Sequence, residues 1–401
     1  MSDPTREADW QDIEALLPEG WRELATQMKV VVERPPHIGQ KIRDVATALR
    51  LVLHYVAQRG SMRMTTAAAA VAGIVSISQP ALFKWMFKIG AYLEALVARM
   101  VEPARFASKA WGDYVLIAAD ATCVSRPGAK GTTARLHYAL HLSDLRPRFV
   151  RISDEKVGET MRNYDVEPNE LWIVDRGYSN PASVLHCARR GGAILVRLNR
   201  QSLPLYDARG RRIDVRALVS GTPRRGRVMH QGVRVHADGQ QVRAQLCWVW
   251  LPEAEAQKAR AHAIRDGERN ADELDMAEYM LALTTAPSSR LSAEQVIELY
   301  RARWQIELDF KRDKSIGELD QLPNELPETI RSWLSAKVLL DLIAKRLAAK
   351  AVAIPPGGLA EAILPTGDAA PRPRSRRRAV VRDAVRVERH PARASAHAPA
   401  A

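Results

Sequence analysis

Two short apolar runs, each ending in an aspartate, constrain the fold of this chain more than any other feature. The first run, Tyr114–Ala119, precedes Asp120, and the second, Leu171–Val174, precedes Asp175. Runs of this length are typical of strands that are buried on both faces of a sheet. If the two strands are parallel neighbours, their carboxyl ends lie at one edge of the sheet, and both carboxylates emerge there.

The surrounding sequence predicts the rest of a mixed α/β sheet, because alternating or apolar segments are interspersed with one helical segment. The further strands are predicted at Arg135–Leu142, Arg148–Ile152 and Ala193–Leu198, and the helix at Pro181–Arg190. Tyr279–Thr285 predicts one more strand, and Ser292 starts a long helix.

Residues 201–276 break this pattern, and we interpret them as a β-rich insertion. Its turns are rich in Gly and Arg, which separates several short segments of strand-like composition. The strands are predicted at Arg212–Val219, Arg227–Val235 and Val242–Leu251, followed by a charged helix from Pro252 to about Arg265.

The first 105 residues are predicted to be helical, because apolar residues recur at helical spacing. The helical segments are Ile13–Met28, Ile42–Val56, Thr65–Ile74 and Pro80–Met100, with Ser78 as the cap of the last. The last two segments form a possible helix-turn-helix, whose second helix carries Lys84, Trp85 and Lys88. A plain helical bundle explains the same pattern, since short helix pairs are common and the turn lacks its usual glycine.

Residues 354–401 form a tail rich in Ala, Arg and Pro, which cannot build a core and is expected to be disordered. One interpretation is a non-specific DNA-binding arm. A frameshifted or eroded terminus explains the composition as well, and we favour it as a hypothesis. The tail from residue 366 carries nine Arg and three acids, so it supplies +6 of the net charge of +14 and leaves +8 on the rest of the chain.

This basic balance indicates a polyanionic partner, with nucleic acid first and an anionic membrane second. The three cysteines are scattered and form no C-x-x-C motif, which fits a reducing cytoplasm. The longest apolar run is too short to span a bilayer, and the acidic N-terminus does not resemble a signal peptide. We therefore expect a cytoplasmic protein that associates with the nucleoid.

The segment 300–314 concentrates charge and aromatic side chains on one surface. If it is one continuous helix, Tyr300, Arg303, Glu307 and Lys314 share a narrow face, with Lys311 and Trp304 beside them. This pattern indicates a metal-binding carboxylate set in a surface for phosphate. The alternative is ordinary: Arg303–Glu307 and Glu307–Lys311 are also i,i+4 ion pairs, and Trp304 could be a core residue.

Asp120, Asp175 and Glu307 are the candidate metal ligands. A helix packed across the sheet edge could bring Glu307 to the two aspartates, and converging carboxylates attract hard divalent cations. Two such ions activate a water or hydroxyl and stabilise the leaving oxygen of a phosphodiester. Strand-end aspartates are also common turn formers and helix caps. His137 and His141 lie on one strand without a third ligand and are expected to be structural.

The order of these acids, with Tyr300-x2-Arg303-x3-Glu307-x6-Lys314, resembles the Y-x2-R-x3-E-x6-K signature of insertion-sequence-four type DDE transposases. Asp120-Ala-Thr122 and Asp175-Arg-Gly-Tyr178 also look like this family. The resemblance implies a catalytic and metal-binding triad of Asp120, Asp175 and Glu307. It implies DNA contacts by Tyr300, Arg303 and Lys314, shared with Trp304 and Lys311. Tyr279 is a weak candidate for stacking on a flipped base, although an ordinary strand-edge tyrosine is the better explanation.

The resemblance further implies an α/β fold with an RNase H-like mixed-sheet core. We expect a helical domain at 1–105, the core at 106–200 and 277–353, the β-rich insertion at 201–276, and the disordered tail at 354–401. The implied activity is cut-and-paste transposition with two Mg²⁺ (or Mn²⁺) ions, in which double-stranded terminal repeats are cut and their 3′-hydroxyl ends are joined to target DNA by a homodimer. A truncated transposase that inhibits transposition by binding DNA, or a stand-alone nuclease of the same fold, are the alternatives.

Overall fold

The computed structural model describes residues 10–31, 42–58, 61–101, 108–125, 131–303, 306–308, 322 and 326–351. The tail at 354–401, predicted to be disordered, lies outside the described residues. So do Trp304, Lys311 and Lys314.

Five helices follow a helical segment at 10–14. They are α1 (Trp21–Gln27), α2 (Val45–Ala57), α3 (Met62–Val71), α4 (Gln79–Lys88) and α5 (Gly90–Met100). Side chains cap two of them: Asp44 accepts a hydrogen bond from the Thr47 amide, and Ser61 accepts one from the Met64 amide. Most of the described residues between 10 and 101 therefore lie in helices.

Two of the predicted helical segments are interrupted. The segment Ile13–Met28 is broken at 15–20, where Gly20 adopts a φ of 70°. The segment Pro80–Met100 divides at Ile89. A Cβ added to Gly90 would lie 2.5 Å from Ser332 Oγ, so a glycine is needed where the C-terminal helix approaches closely. Ser78 does occupy the N-cap position of α4, with Pro80 in its first turn.

The long C-terminal helix α11 (Pro327–Ala351) packs against α2, α4, α5 and the strand β3 (Pro147–Asp154). Arg346 donates to the carbonyls of Leu16 and Met100, at 2.8 and 3.0 Å. The last described helix, α11, therefore packs into one helical layer with the N-terminal helices. No helix among the described residues is long and apolar enough to cross a bilayer.

One mixed sheet forms the centre of the molecule, with strand order β3-β2-β1-β4-β5-β8-β7-β6. The strands not yet given are β1 (Val115–Val124), β2 (Ala134–His141), β4 (Glu170–Val174), β5 (Ala193–Arg197), β6 (Val228–Ala237), β7 (Gln240–Trp250) and β8 (Tyr279–Thr284). The pairs β1–β4 and β4–β5 are parallel, and the other neighbouring pairs are antiparallel. The predicted mixed α/β architecture is confirmed.

The shorter helices lie between these strands and after them. They are α6 (Pro181–Arg189), α7 (Val215–Ser220), α8 (Glu253–Arg265), α9 (Ala271–Met276) and α10 (Ala293–Arg301). The predicted strand Arg212–Val219 is wrong, since this stretch enters α7. Asp214 caps that helix by accepting from the Ala217 amide, and a local cap of this kind outweighs the β-branched composition.

Residues 201–276, the predicted insertion, contribute two strands to the central sheet, because β7 pairs with β8 and β6 forms the edge beyond it. Tyr279 opposes Trp250 in this pairing, and the two rings stack with centroids 6.0 Å apart. The tyrosine therefore has an aromatic partner within the sheet, as expected of an ordinary strand residue.

Candidate active site

The register of the parallel strands sets Asp120 and Asp175 side by side. Ala119 pairs with Val174, so the residues that follow them occupy the next position along the two strands. Val174 also pairs with Val196 of β5, which brings Arg197 to the same level on the third strand. An exposed arginine thus lies next to a pair of aspartates at the carboxyl edge of three adjacent strands.

Two hydrogen bonds hold Asp120 in place, one to its side chain and one to its backbone carbonyl. Its Oδ1 accepts from the Ala121 amide at 2.8 Å, and the Tyr164 hydroxyl donates to its carbonyl at 3.1 Å. Burial raises the pKa of this carboxyl to about 7, and Asp175 adds to the effect, whereas Arg303 opposes it. Burial therefore disfavours the ionised form of the Asp120 carboxyl.

Asp175 begins a tight turn that brings a fourth acid close. A 3₁₀ turn covers Arg176–Tyr178, and the Tyr178 hydroxyl lies 2.8 Å from that of Tyr164 beneath the site. A Cβ on Gly177 would lie 1.7 Å from Glu159 Oε2, so the Glu159 carboxylate occupies the space that a side chain would fill. Burial raises the pKa of Glu159, and the charge of Asp175 adds to this shift.

Sequence reasoning missed both Glu159 and Arg197. Glu159 precedes no apolar run, and Arg197 ends a strand without belonging to any motif. Gly177 was the available signal, because a glycine inside a turn often marks a close approach, but it does not identify the group that approaches.

The long helix predicted to start at Ser292 and to carry Arg303 and Glu307 is interrupted within the described residues, and residues 309–314 lie outside them. A capping box formed by Ser292 and Gln295 starts α10, which ends at Arg301. The Arg303 amide then bonds to the carbonyl of Tyr300 and the Ile306 amide to that of Arg303, three residues back each time. This tightening turns the chain before a second helical segment at 306–308.

The interrupted segment nevertheless brings its side chains to the aspartates. The Tyr300 hydroxyl donates to Asp175 Oδ1 at 3.1 Å. Arg303 NH1 lies 4.0 Å from Asp120 Oδ2, and its NH2 donates to Glu307 Oε1. Asp120, Asp175 and Glu307 are therefore linked through two side chains of the signature segment.

Two buried nitrogens of the Arg303 side chain lack hydrogen-bond acceptors among the described residues. Its side chain is 12% exposed, whereas that of Glu307 is 43% exposed. Among the described residues, neither its Nε nor its NH1 has a hydrogen-bond partner. A buried guanidinium with two unsatisfied nitrogens faces the aspartate pair.

In the described part of the chain, no three His, Cys, Asp or Glu side chains lie close enough together to hold a metal ion. The two aspartates supply suitable oxygen ligands, but Glu307 is engaged by Arg303. His137 instead belongs to the structure: it is buried, lies 2.9 Å from Ser153 Oγ, and packs against Tyr164. Burial lowers its pKa to about 4, so the imidazole is neutral at pH 7.

Comparison with known proteins gives a consistent result for this region. Residues 111–326 match the model of a family described as the transposase DDE domain. The chain is 29% identical over 327 residues to the putative transposase InsL of insertion sequence element IS186A from Escherichia coli K12, covering 79% of this chain and 88% of the relative. It is also 29% identical over 328 residues to the transposase of element IS421 from Escherichia coli, with the same coverage.

Proposed function

Because the chain belongs to the transposase DDE domain family, we propose that it is a DNA transposase of a bacterial insertion sequence. In this proposal it cuts double-stranded DNA at terminal inverted repeats and joins the freed 3′-hydroxyl ends to target DNA. The proposal is consistent with the naming of the InsL and IS421 proteins as transposases.

The observation that carries the proposal is the adjacency of Asp120 and Asp175 in the parallel register, together with the link from both to the signature segment. Tyr300 donates to one aspartate, and Arg303 joins the other to Glu307. Residues far apart in sequence thereby meet at one edge of the sheet. An unrelated role for each acid as a turn former does not account for this convergence.

Asp120, Asp175 and Glu307 would hold two divalent ions, Mg²⁺ or Mn²⁺. The donor set fits, since carboxylate oxygens are the ligands that these ions prefer, and the strand register sets Asp120 and Asp175 side by side. Glu307 would join the aspartates after leaving Arg303. When bound, the ions supply Lewis acidity at the phosphodiester and activate the attacking hydroxyl.

The remaining roles are assigned to the chain's own side chains. Tyr300 orients Asp175 through its hydrogen bond. In this proposal Arg303 contacts phosphate oxygens, a role that suits it because its planar fork matches the geometry of a phosphate. Trp304, Lys311 and Lys314 remain proposed DNA contacts from their positions in the signature.

Binding outside the active site would use the basic helical region. Lys84 and Lys88 are exposed on α4, where they can reach phosphates. Two ends must be held together for insertion, so we propose that the working form on DNA is a homodimer.

An excision assay in cells tests the function as a whole. A reporter interrupted by a marker between the element's own terminal repeats is restored only when both ends are cut. We expect wild-type protein to restore the reporter and Asp120→Asn to leave it interrupted. Binding of the repeats without excision by the wild type would contradict the proposal and favour the inhibitor.

A further inference from the structure

Arg303 contacts two of the three acids, Asp120 and Glu307. Its guanidinium engages Glu307 through NH2 and lies 4.0 Å from Asp120 through NH1. Both acids are candidate metal ligands. One positive side chain therefore satisfies part of the negative charge that a divalent cation would satisfy, and it holds Glu307 away from that task.

This arrangement leaves Arg303 itself incompletely satisfied. Nε and NH1 are buried, and no acceptor among the described residues reaches them. A buried donor without a partner is unfavourable, and the penalty is larger for a charged group. A phosphate oxygen is the acceptor that would remedy this, because a guanidinium binds phosphate through two parallel N–H bonds.

We propose that Arg303 makes cation binding at the cluster of Asp120, Asp175 and Glu307 depend on DNA. Without DNA it retains Glu307 and partly neutralises Asp120. A DNA phosphate draws the guanidinium away, which releases Glu307 and leaves the cluster short of positive charge. This inference rests on the proposed function, whose metal and DNA sites it couples.

Mn²⁺ binding to the full-length protein tests the coupling without relying on activity. Free Mn²⁺ gives an electron paramagnetic resonance signal that disappears on binding, so a titration yields the affinity. The titration is made with and without a short duplex carrying the terminal repeat that flanks the gene. The Asp120→Asn/Asp175→Asn double variant subtracts binding elsewhere.

Arg303→Gln should bind Mn²⁺ without DNA at least about tenfold more tightly than wild type, within the range typical of coupled sites. Arg197→Gln is the matched control, because it also removes one positive charge beside the aspartates but breaks no contact with Asp120 or Glu307. An exposed charge of this kind should change the affinity by about fivefold at most. An Arg303→Gln affinity within about fivefold of wild type, or equal effects of both variants, would overturn the proposal.

The wild-type protein provides a test that does not depend on the folding of any variant. The duplex should raise its affinity for Mn²⁺, and Mn²⁺ should raise its affinity for the duplex by the same factor. Equal Mn²⁺ affinity with and without the duplex would overturn the coupling and leave the proposed function standing. Absence of Mn²⁺ binding even with the duplex would overturn both.

Discussion

The buried ion pair between Arg148 and Glu170 should be one of the most sensitive points in the sheet. Glu170 begins β4, the strand that leads to Asp175, and its side chain is 2% exposed. It accepts from Arg148 Nε at 2.7 Å, the Glu167 amide at 2.8 Å and Trp172 Nε1 at 2.9 Å. The Arg148 side chain is 9% exposed. Three donors therefore converge on one carboxylate away from water.

Glu170→Gln removes the negative charge and turns an amide group toward these donors. Arg148 then keeps only its ion pair with Glu167, at 3.2 Å, whose side chain is 56% exposed and screened by solvent. Removing one member of a buried pair typically costs about 3–5 kcal/mol. The free energy of unfolding, measured by urea denaturation at pH 7, should fall by about that amount. Hydrogen exchange at the β4 amides should report the same loss locally.

The exposed pair Arg190–Asp165 is a matched control in the same part of the molecule. Its atoms are 2.6 Å apart, but its side chains are 51% and 70% exposed. Solvent screens such a pair, so Asp165→Asn should cost no more than about 1 kcal/mol. Equal destabilisation by Glu170→Gln and Asp165→Asn would refute the reasoning from burial.

Three further predictions concern different parts of the chain. Burial lowers the pKa of His137 to about 4 in the folded state, whereas its value in the unfolded chain is near 6.5. The free energy of unfolding should therefore fall by about 3 kcal/mol as the pH drops from 6.5 to 4. In a pH series of urea melts, His137→Gln should flatten this part of the curve. Gly177→Ala should displace the Glu159 carboxylate and slow DNA cleavage, whereas Gly232→Ala, where nothing lies within 4 Å, should not; if Glu159→Ala fails to lessen the effect of Gly177→Ala, the contact is not the cause. Lys84→Gln should weaken binding to the terminal repeat and reduce the salt slope by about one, and an unchanged slope in fluorescence anisotropy would exclude a phosphate contact.

The central sheet and the two strand-end aspartates could be predicted from the sequence, because local patterns determine them. An apolar run must be buried on both faces, and the acid that ends it must reach the sheet edge. The mixed α/β class and the strands at the carboxyl edge follow from that pattern. The sequence alone does not establish that β1 and β4 are parallel neighbours, and the structure shows this pairing. It is this pairing that brings Asp120 and Asp175 together.

Other features depend on contacts that no local pattern contains. The helix ending at Arg301 looked continuous because its composition favours helix throughout, while the break reflects three-residue turns around Arg303. Next to the division at Ile89, Gly90 leaves room for Ser332, which is far along the chain. The Glu159 carboxylate lies in the space that a side chain at position 177 would fill. Nothing in the sequence around either residue predicts this contact. Such long-range approaches are set by packing.

We propose that Asp120, Asp175 and Glu307 form one metal-dependent site for cutting DNA. Its most direct test is cleavage of an end-labelled duplex carrying the gene's flanking terminal repeat, with Mg²⁺ or with EDTA. We predict that the wild type makes a Mg²⁺-dependent nick at the repeat boundary that leaves a 3′-hydroxyl extendable by a polymerase. Asp120→Asn, Asp175→Asn and Glu307→Gln should each bind the duplex but cleave roughly 10³-fold more slowly or worse. Cleavage that survives in any one of the three variants, or that proceeds equally in EDTA, would contradict the claim.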